Sequence, residues 1–229
     1  AAQSAIDLRC MIHPATTLRE LLQERVESSA KNLLLLFDDR RITYADFQQE
    51  VNRVANALLR LGVQKGDKIA LLLPNCPEFL FTVFAAVEIG AVFVPVNTAF
   101  TAEEIQYLLR HSESSLLLTA QSFLPLVEQI REKCPRLRQV VSLPGEKRPG
   151  CLSWDEFLFR SSDATPQASV RPDEIASITY TSGTTDRPKG VMLTQYAYLF
   201  APQKRAEALG WNESDRVIVM MPLFHVNAL

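Results

Sequence analysis

The sequence predicts an α/β fold, a doubly wound and mostly parallel sheet with helices on both faces, as part of a larger N-terminal domain. From residue 43 onward, short apolar segments alternate with segments of helical periodicity. The short segments are apolar on both sides, which is typical of parallel strands covered by helices. Sheets of this type bind ligands at the carboxyl ends of their strands. A ligand site is therefore expected at that edge of the sheet.

The N-terminal part predicts a helix followed by a hairpin. Thr17 and Glu20 have the spacing of a capping box and begin a short amphipathic helix. Residues 33–37 form an apolar run, a charged turn follows, and Ile42 resumes the apolar pattern.

The elements that follow alternate. Thr43 and Asp46 have capping spacing for a second helix, which ends at Gly62. Thr101 and Glu104 have the same spacing for a helix that runs to about His111, and Ser153 and Glu156 have it for a short helix. Strands are predicted at 68–73, 91–96, 115–119, 139–143, 175–180, 191–194 and 216–221, with 175–180 and 191–194 buried. Helices are predicted at 78–89, 101–111, 123–133 and 195–209.

The stretch 180–190, Tyr-Thr-Ser-Gly-Thr-Thr-Asp-Arg-Pro-Lys-Gly, lies between two predicted strands. Glycines let a backbone approach a ligand, hydroxyls donate to anionic oxygens, and Lys189 supplies positive charge. This chemistry suits a polyphosphate. A P-loop is excluded, because Pro188 stands where its second glycine would be and Gly190 where its Ser or Thr follows the lysine. A Ser/Thr-rich surface turn is the simpler alternative.

The stretch resembles the phosphate-binding signature of the adenylate-forming enzymes, which include acyl-CoA synthetases, luciferases and peptide-synthetase adenylation domains. It matches at every defined position except Asp186, where the family usually has glycine. Residues 90–97, Gly-Ala-Val-Phe-Val-Pro-Val-Asn, and 222–226, Pro-Leu-Phe-His-Val, resemble two further family segments. The resemblance thus runs from about Thr17 to the end of the chain.

The resemblance implies an ATP-dependent acyl-CoA ligase, with ATP, Mg²⁺ and coenzyme A taking part. A carboxylic acid would be activated as an acyl-adenylate with release of pyrophosphate, and coenzyme A would then form the thioester. Lys189 and His225 are the implied catalytic residues. The implied phosphate-binding residues are Thr181, Ser182, Gly183, Thr184, Thr185, Lys189 and Gly190. The family's metal ligand falls outside this sequence, so no metal-binding residue is predicted. The motifs look closest to those of carnitine/crotonobetaine-type and fatty-acid CoA ligases, and they do not identify the acid.

The predicted domain organisation follows from these elements. Residues 1–42 are the helix and hairpin of a second subdomain, 43–160 an α/β subdomain, 161–172 a linker rich in Ser, Ala, Pro and Gln, and 173–229 the phosphate-loop region and the start of the next α/β unit. Because the sequence stops soon after a predicted buried strand, we expect it to be part of a longer protein.

Other candidate residues have simpler interpretations. A histidine at a strand end, such as His225, is otherwise more often a core residue, and His13 and His111 are expected at the surface. Asn75 is expected to cap the following helix. Cys76 is expected to pack rather than react. The aromatic residues of 79–84 are expected in the core.

Composition excludes several classes of function. A net charge of −2 gives no basic excess for nucleic acid. The first 30 residues contain no uninterrupted apolar stretch, so we expect no signal peptide or membrane span there. Four scattered cysteines favour reduced thiols and a cytoplasmic location. The alternatives to a CoA ligase are an amino-acid adenylation domain, a luciferase-type enzyme, and a non-catalytic nucleotide-binding or scaffolding protein.

Overall fold

A computed structural model of the protein describes residues 15–144, 148–181, 188–212 and 214–225. Within these residues the strands are β1 (Leu33–Phe37), β2 (Arg40–Thr43), β3 (Lys68–Leu72), β4 (Val92–Pro95), β5 (Leu116–Ala120), β6 (Gln139–Leu143), β7 (Leu152–Ser153), β8 (Ile175–Thr181) and β9 (Lys189–Thr194). The helices are α1 (Leu18–Ser29), α2 (Tyr44–Arg60), α3 (Pro77–Glu88), α4 (Ala102–His111), α5 (Leu124–Ile130), α6 (Trp154–Leu158) and α7 (Ala197–Leu209).

The main sheet has seven strands in the order β7-β6-β5-β3-β4-β8-β9. All neighbouring strands are parallel except β8 and β9, which pair antiparallel. The chain order reverses around β3, since β4 lies on one side of it and β5 on the other. The predicted α/β fold with a mostly parallel sheet is therefore confirmed. β1 and β2 form the predicted hairpin as a separate two-stranded sheet.

Two apolar cores lie on opposite faces of the main sheet. Alternate residues of a strand point to opposite faces, so Ile69 and Leu71 pack into one core while Ala70 and Leu72 pack into the other. Helices α1, α2, α3 and α6 contribute to the first core, and α4 and α5 to the second. The first core also contains the predicted aromatic cluster, in which the Phe47 ring meets the Phe81 and Phe84 rings edge-on at 5.3 and 5.2 Å.

Four helices begin at the predicted capping boxes. At each one the cap hydroxyl accepts a hydrogen bond from the backbone three residues later, and the acidic side chain there accepts one from the cap backbone. The caps are Thr17, Thr43, Thr101 and Ser153. The predicted helix 123–133 is instead α5 flanked by two 3₁₀ turns, Gln121–Phe123 and Arg131–Lys133.

The prediction of a strand at 216–221 is wrong. These residues have no regular secondary structure, and none of the described strands pairs with them. Ile218 and Met220 are 84% and 87% exposed. The burial predicted for 191–194 is also wrong. β9 is the edge of the sheet, and Met192 is 64% exposed.

Residues 161–172 have no regular secondary structure but are tied to the helices beneath them. The amide nitrogen of Asn52 donates to the Asp163 carbonyl at 2.7 Å, and that of Asn56 donates to the Ala164 carbonyl at 2.8 Å. Arg19 donates to the carbonyls of two residues further along this segment. The segment therefore lies as a strap along α1 and α2, while the division into domains stays a prediction. None of the helices in the described ranges is long and apolar enough to span a bilayer.

Candidate functional site

The hairpin of β8 and β9 places the two ends of the Ser/Thr-rich stretch side by side. Thr181 pairs with Lys189 in the ladder, and both side chains are exposed. Directly opposite residues of an antiparallel pair project to the same face, so a hydroxyl and an ammonium group share one side of the hairpin. Gly190 pairs with Tyr180, one step further from the loop. The remaining predicted site residues, Ser182, Gly183, Thr184 and Thr185, lie outside the described residues, as does Asp186.

The hairpin end lies at the carboxyl edge of the parallel strands. β8 is a neighbour of β4, which is in turn a neighbour of β3. Because adjacent strands are about 5 Å apart, the ends of β8 and β3 are separated by about 10 Å. Residues that follow β3 are thus close to Thr181. This edge, beside the point where the strand order reverses, is where open α/β sheets take ligands.

Asn75 follows β3 and holds a distant segment of the chain at this edge. Its side-chain nitrogen donates to the Met221 carbonyl at 3.0 Å, and its side-chain oxygen accepts from the Leu223 amide at 2.7 Å. The Asn75 side-chain amide thus bonds to one backbone acceptor and one backbone donor, as the backbone of a neighbouring strand does in a sheet. The prediction that Asn75 caps α3 is wrong, since the N-cap position is Cys76 and has no side-chain cap bond.

His225 lies at the end of the segment that Asn75 holds. Its backbone amide donates to the Pro222 carbonyl at 2.9 Å, which closes a turn, and its side chain is exposed. Among the described residues, no hydrogen bond or ion pair links His225 to Thr181 or Lys189. The structure thus brings Thr181 and Lys189 together directly, and ties the His225 turn to the same sheet edge through Asn75.

His111 is exposed, as predicted, but it also contacts the hairpin. Its Nδ1 lies 2.7 Å from the Tyr180 hydroxyl. Burial raises the pKa of Tyr180 to about 12, so the hydroxyl keeps its proton at neutral pH. The sequence signal for this contact was weak, because Tyr107 and His111 occupy one face of α4 without any recognisable motif.

A groove of about 1010 Å³ opens beside the Asn75 contact. One wall is β1, whose consecutive residues 33–37 all line the groove, and another is the segment 215–219. Asn75, Cys76 and Leu223 contribute to its lining. The groove is thus continuous with the segment that carries His225, and its lining combines apolar side chains with charged and polar ones. In the part of the chain that the structure describes, no group of three or more His, Cys, Asp or Glu side chains is arranged to hold a metal ion.

Comparison with known proteins identifies the class. Residues 22–229 match the family model described as AMP-binding enzyme. A crotonobetaine/carnitine–CoA ligase of Salmonella paratyphi B is 38% identical over 192 residues, which are 82% of this chain and 37% of that protein. The ligase of the same name from Salmonella typhi is 35% identical over 221 residues, 92% of this chain and 42% of that protein.

Solved structures of CoA ligases have the same fold as this chain. A crystal structure of an anthranilate CoA ligase with anthranoyl-AMP superposes with a TM-score of 0.86 at 32% identity, covering 91% of this chain and 40% of that one. A fatty acyl CoA synthetase of Mycobacterium tuberculosis gives a TM-score of 0.81 at 30% identity, covering 93% and 41%.

The match to the family model and the superpositions identify an adenylate-forming enzyme fold. The chain belongs to the AMP-binding enzyme family, and the relatives named above are CoA ligases. It spans about two fifths of the length of these relatives.

Proposed function

We propose that the protein is an acyl-CoA ligase that activates a carboxylic acid with ATP and transfers the acyl group to coenzyme A. In the first step a carboxylate oxygen attacks the α-phosphorus of ATP, and the bond to pyrophosphate breaks. In the second step the coenzyme A thiol attacks the acyl carbon, loses its proton, and releases AMP. The observation that carries the proposal is the exposed Lys189 beside Thr181 at the carboxyl edge of the sheet in a member of this family.

The donors at the hairpin end fit the phosphates of ATP. An ammonium and a hydroxyl on one face can both donate to phosphate oxygens, and the charge that builds on departing pyrophosphate strengthens these bonds. Lys189 is the residue proposed to stabilise that charge, together with Thr181, Gly190 and the predicted loop residues Ser182, Gly183, Thr184 and Thr185. Mg²⁺ bound with ATP would neutralise further charge, and none of the described residues is assigned to hold it.

His225 is proposed to face the carboxylate that is activated. Its turn lies at the same sheet edge as Lys189, and the groove beside it has an apolar wall of β1 leucines that could contact an acyl group, next to charged and polar side chains. The named relatives act on acids of different shapes, as their descriptions show: crotonobetaine or carnitine, and anthranilate. The acid panel for this protein should therefore include short, medium and long fatty acids, carnitine-like acids and aromatic acids.

Isotope exchange between pyrophosphate and ATP tests the first step. The full-length protein should catalyse acid-dependent exchange with at least one member of the panel. Exchange without thioester formation on addition of coenzyme A would point to an adenylating enzyme with a different acceptor. Absence of exchange with every acid, in protein shown to be folded, would refute the proposal.

Lys189→Ala tests the assignment of the lysine. A hydrogen bond to a charged group contributes roughly 1.5–3 kcal/mol, so exchange should slow by about tenfold to two-hundredfold. Thioester formation from supplied acyl-adenylate should change little, because pyrophosphate has already left. Lys204→Ala is the matched control, since Lys204 is an exposed lysine of α7 paired with Glu207. An equal loss in both half-reactions would contradict the role given to Lys189.

A further inference from the structure

One face of α4 contacts the hairpin on both sides of the Thr181–Lys189 pair. The Tyr107 hydroxyl donates to the carbonyl of Pro188, the residue before Lys189, at 3.3 Å. His111 Nδ1 lies 2.7 Å from the hydroxyl of Tyr180, the residue before Thr181. Tyr107 and His111 are four residues apart on one helix face, and their rings stack with centroids 5.3 Å apart. One rigid unit thus reaches both strands next to the two proposed phosphate donors.

The Tyr180 ring packs over the backbone of Gly190 on the neighbouring strand. The two residues are opposite each other in the β8–β9 ladder. A Cβ atom built on Gly190 would lie 3.4 Å from Cζ of Tyr180 and 2.9 Å from Cγ2 of Ile178. The Tyr180 ring and the Ile178 side chain therefore occupy the space above the glycine, which explains why a strand interior carries a residue without a side chain. The ring also meets His111 edge-on, with centroids 5.7 Å apart.

We propose that Tyr107 and His111 are positioning residues for the ATP site, acting on Thr181 through Tyr180 and on Lys189 through Pro188. Fixing both backbones before ATP arrives reduces the conformational freedom that binding must remove. Removing the two contacts should weaken the binding of ATP and leave the binding of the acid unchanged. The proposal rests on the assignment of Thr181 and Lys189 to ATP under the proposed function.

Three variants test the two contacts. Tyr107→Phe removes the hydroxyl bound to Pro188, Tyr180→Phe removes the hydroxyl bound to His111 but keeps the ring over Gly190, and His111→Ala removes the imidazole. Tyr196→Phe is the matched control, because Tyr196 is a 52% exposed tyrosine at the start of α7. Each is made in the full-length protein, and its thermal unfolding is measured first.

The readouts are the Kd for ATP, by calorimetry, and the KM values for ATP and acid in pyrophosphate exchange. Tyr107→Phe and Tyr180→Phe should each raise the Kd and KM for ATP by about three- to tenfold, as expected for the loss of one neutral hydrogen bond. The KM for the acid and the control variant should not change. In the double variant Tyr180→Phe with Tyr107→Phe, the two fold-changes in the Kd for ATP should multiply.

Unchanged ATP affinity in folded Tyr107→Phe and Tyr180→Phe proteins would overturn the inference. An equal rise in the KM for the acid would overturn it too, since it would show a general loss of structure. If ATP binds but no acid supports pyrophosphate exchange, the ligase proposal is wrong. The Kd values for ATP then still test whether Tyr107 and His111 position the ATP site. If the wild-type protein does not bind ATP, both are wrong.

Discussion

Cys76 shows at the level of one residue how position decides reactivity. It lies at the carboxyl edge of the sheet, near the proposed site, yet it is partly buried against the first core. Burial, together with the nearby Glu78 carboxylate, raises the pKa of the thiol to about 11. The structure therefore supports the packing interpretation from the sequence over a reactive thiol.

The prediction for Cys76 is slow alkylation. At pH 8 only about one thiol in a thousand would be ionised, and the thiolate is the reacting form. Iodoacetamide should label the Cys76 peptide slowly at pH 8, and the rate measured by mass spectrometry should still be rising between pH 9 and 10.5. The urea-unfolded protein is the control, and its thiol should titrate near the ordinary cysteine pKa of about 8.5. A rate that levels off below pH 9 in the folded protein would contradict the prediction.

Glu88 is a second residue whose pKa is raised by burial, although the Arg19 guanidinium opposes the shift from 3.2 Å. Arg19 also donates to the carbonyls of Pro166 and Ala168, which ties the 161–172 strap to α1. Arg19→Met should lower the free energy of unfolding at pH 7 by about 2–3 kcal/mol, less than for a fully buried pair because Arg19 is partly exposed.

The pH dependence of the stability loss in Arg19→Met distinguishes the effect of the Arg19 charge from that of its packing. With Arg19 gone, the pKa of Glu88 in the folded protein rises further above its unfolded value. The deficit of the variant should then be smallest at acid pH, where Glu88 is protonated in both states, and grow as pH rises through the folded pKa. Adding Glu88→Gln should restore part of the lost stability at pH 7. Urea denaturation at pH 4.5 and 7 measures the stability of the single and the double variant. An equal loss of stability in Arg19→Met at the two pH values would contradict the pairing of Arg19 with Glu88.

At the scale of elements, local signals located the capped helices and most strands, but not which apolar segment would lack a partner. The four capping boxes formed as predicted, because a cap hydroxyl and an acid three residues later bond within one turn. The segment 216–221 has the apolar composition of a strand, yet a strand also needs a partner, which composition does not specify. Similarly, the apolar residues of β9 did not reveal that it would be an edge strand.

The Asn75 contact joins two elements and gives a prediction at that scale. Asn75→Ala removes both bonds to the 221–223 backbone, and the free energy of unfolding should fall by about 1–2 kcal/mol. The Leu223 amide should exchange its hydrogen faster, as measured by mass spectrometry. Asn75→Asp keeps the acceptor for the Leu223 amide but sets an oxygen against the Met221 carbonyl, so it should recover only part of the protection. Asn32→Ala, an exposed asparagine lining the same groove, is the control. An unchanged rate of hydrogen exchange at the Leu223 amide in Asn75→Ala would contradict the role of Asn75 in holding this segment.

At the scale of the whole molecule, the sequence predicted the strands beside the motif better than the contacts that support them. The β8–β9 strands could be predicted, because they flank a motif that is contiguous in the chain, while the roles of its residues stay predictions. Asn75 contacts residues 146 and 148 positions away, and Tyr107 contacts Pro188 81 positions away. Contacts of that range are decided by the order of strands in the sheet, which the alternation of elements did not specify.

Among the residues that the structure describes, a continuous apolar segment is exposed near the end of the chain. Residues 217–221, Val-Ile-Val-Met-Met, are each between 43% and 87% exposed, and the first three line the groove against β1. Such a segment, of high strand propensity and without charge, favours association of chains. A polypeptide of residues 1–229 should therefore form oligomers whose fraction rises with concentration.

Charges placed in this segment test that prediction. Ile218→Lys with Met220→Lys should shift the 1–229 polypeptide towards monomer in sedimentation velocity, with little loss of folding stability, because both side chains face solvent. Gln23→Lys with Gln167→Lys adds the same charge at exposed positions outside the segment, and should leave the oligomers in place. If both pairs act equally, net charge governs association and the 217–221 segment does not. If the wild-type polypeptide is monomeric at every concentration, the apolar segment does not drive association at all.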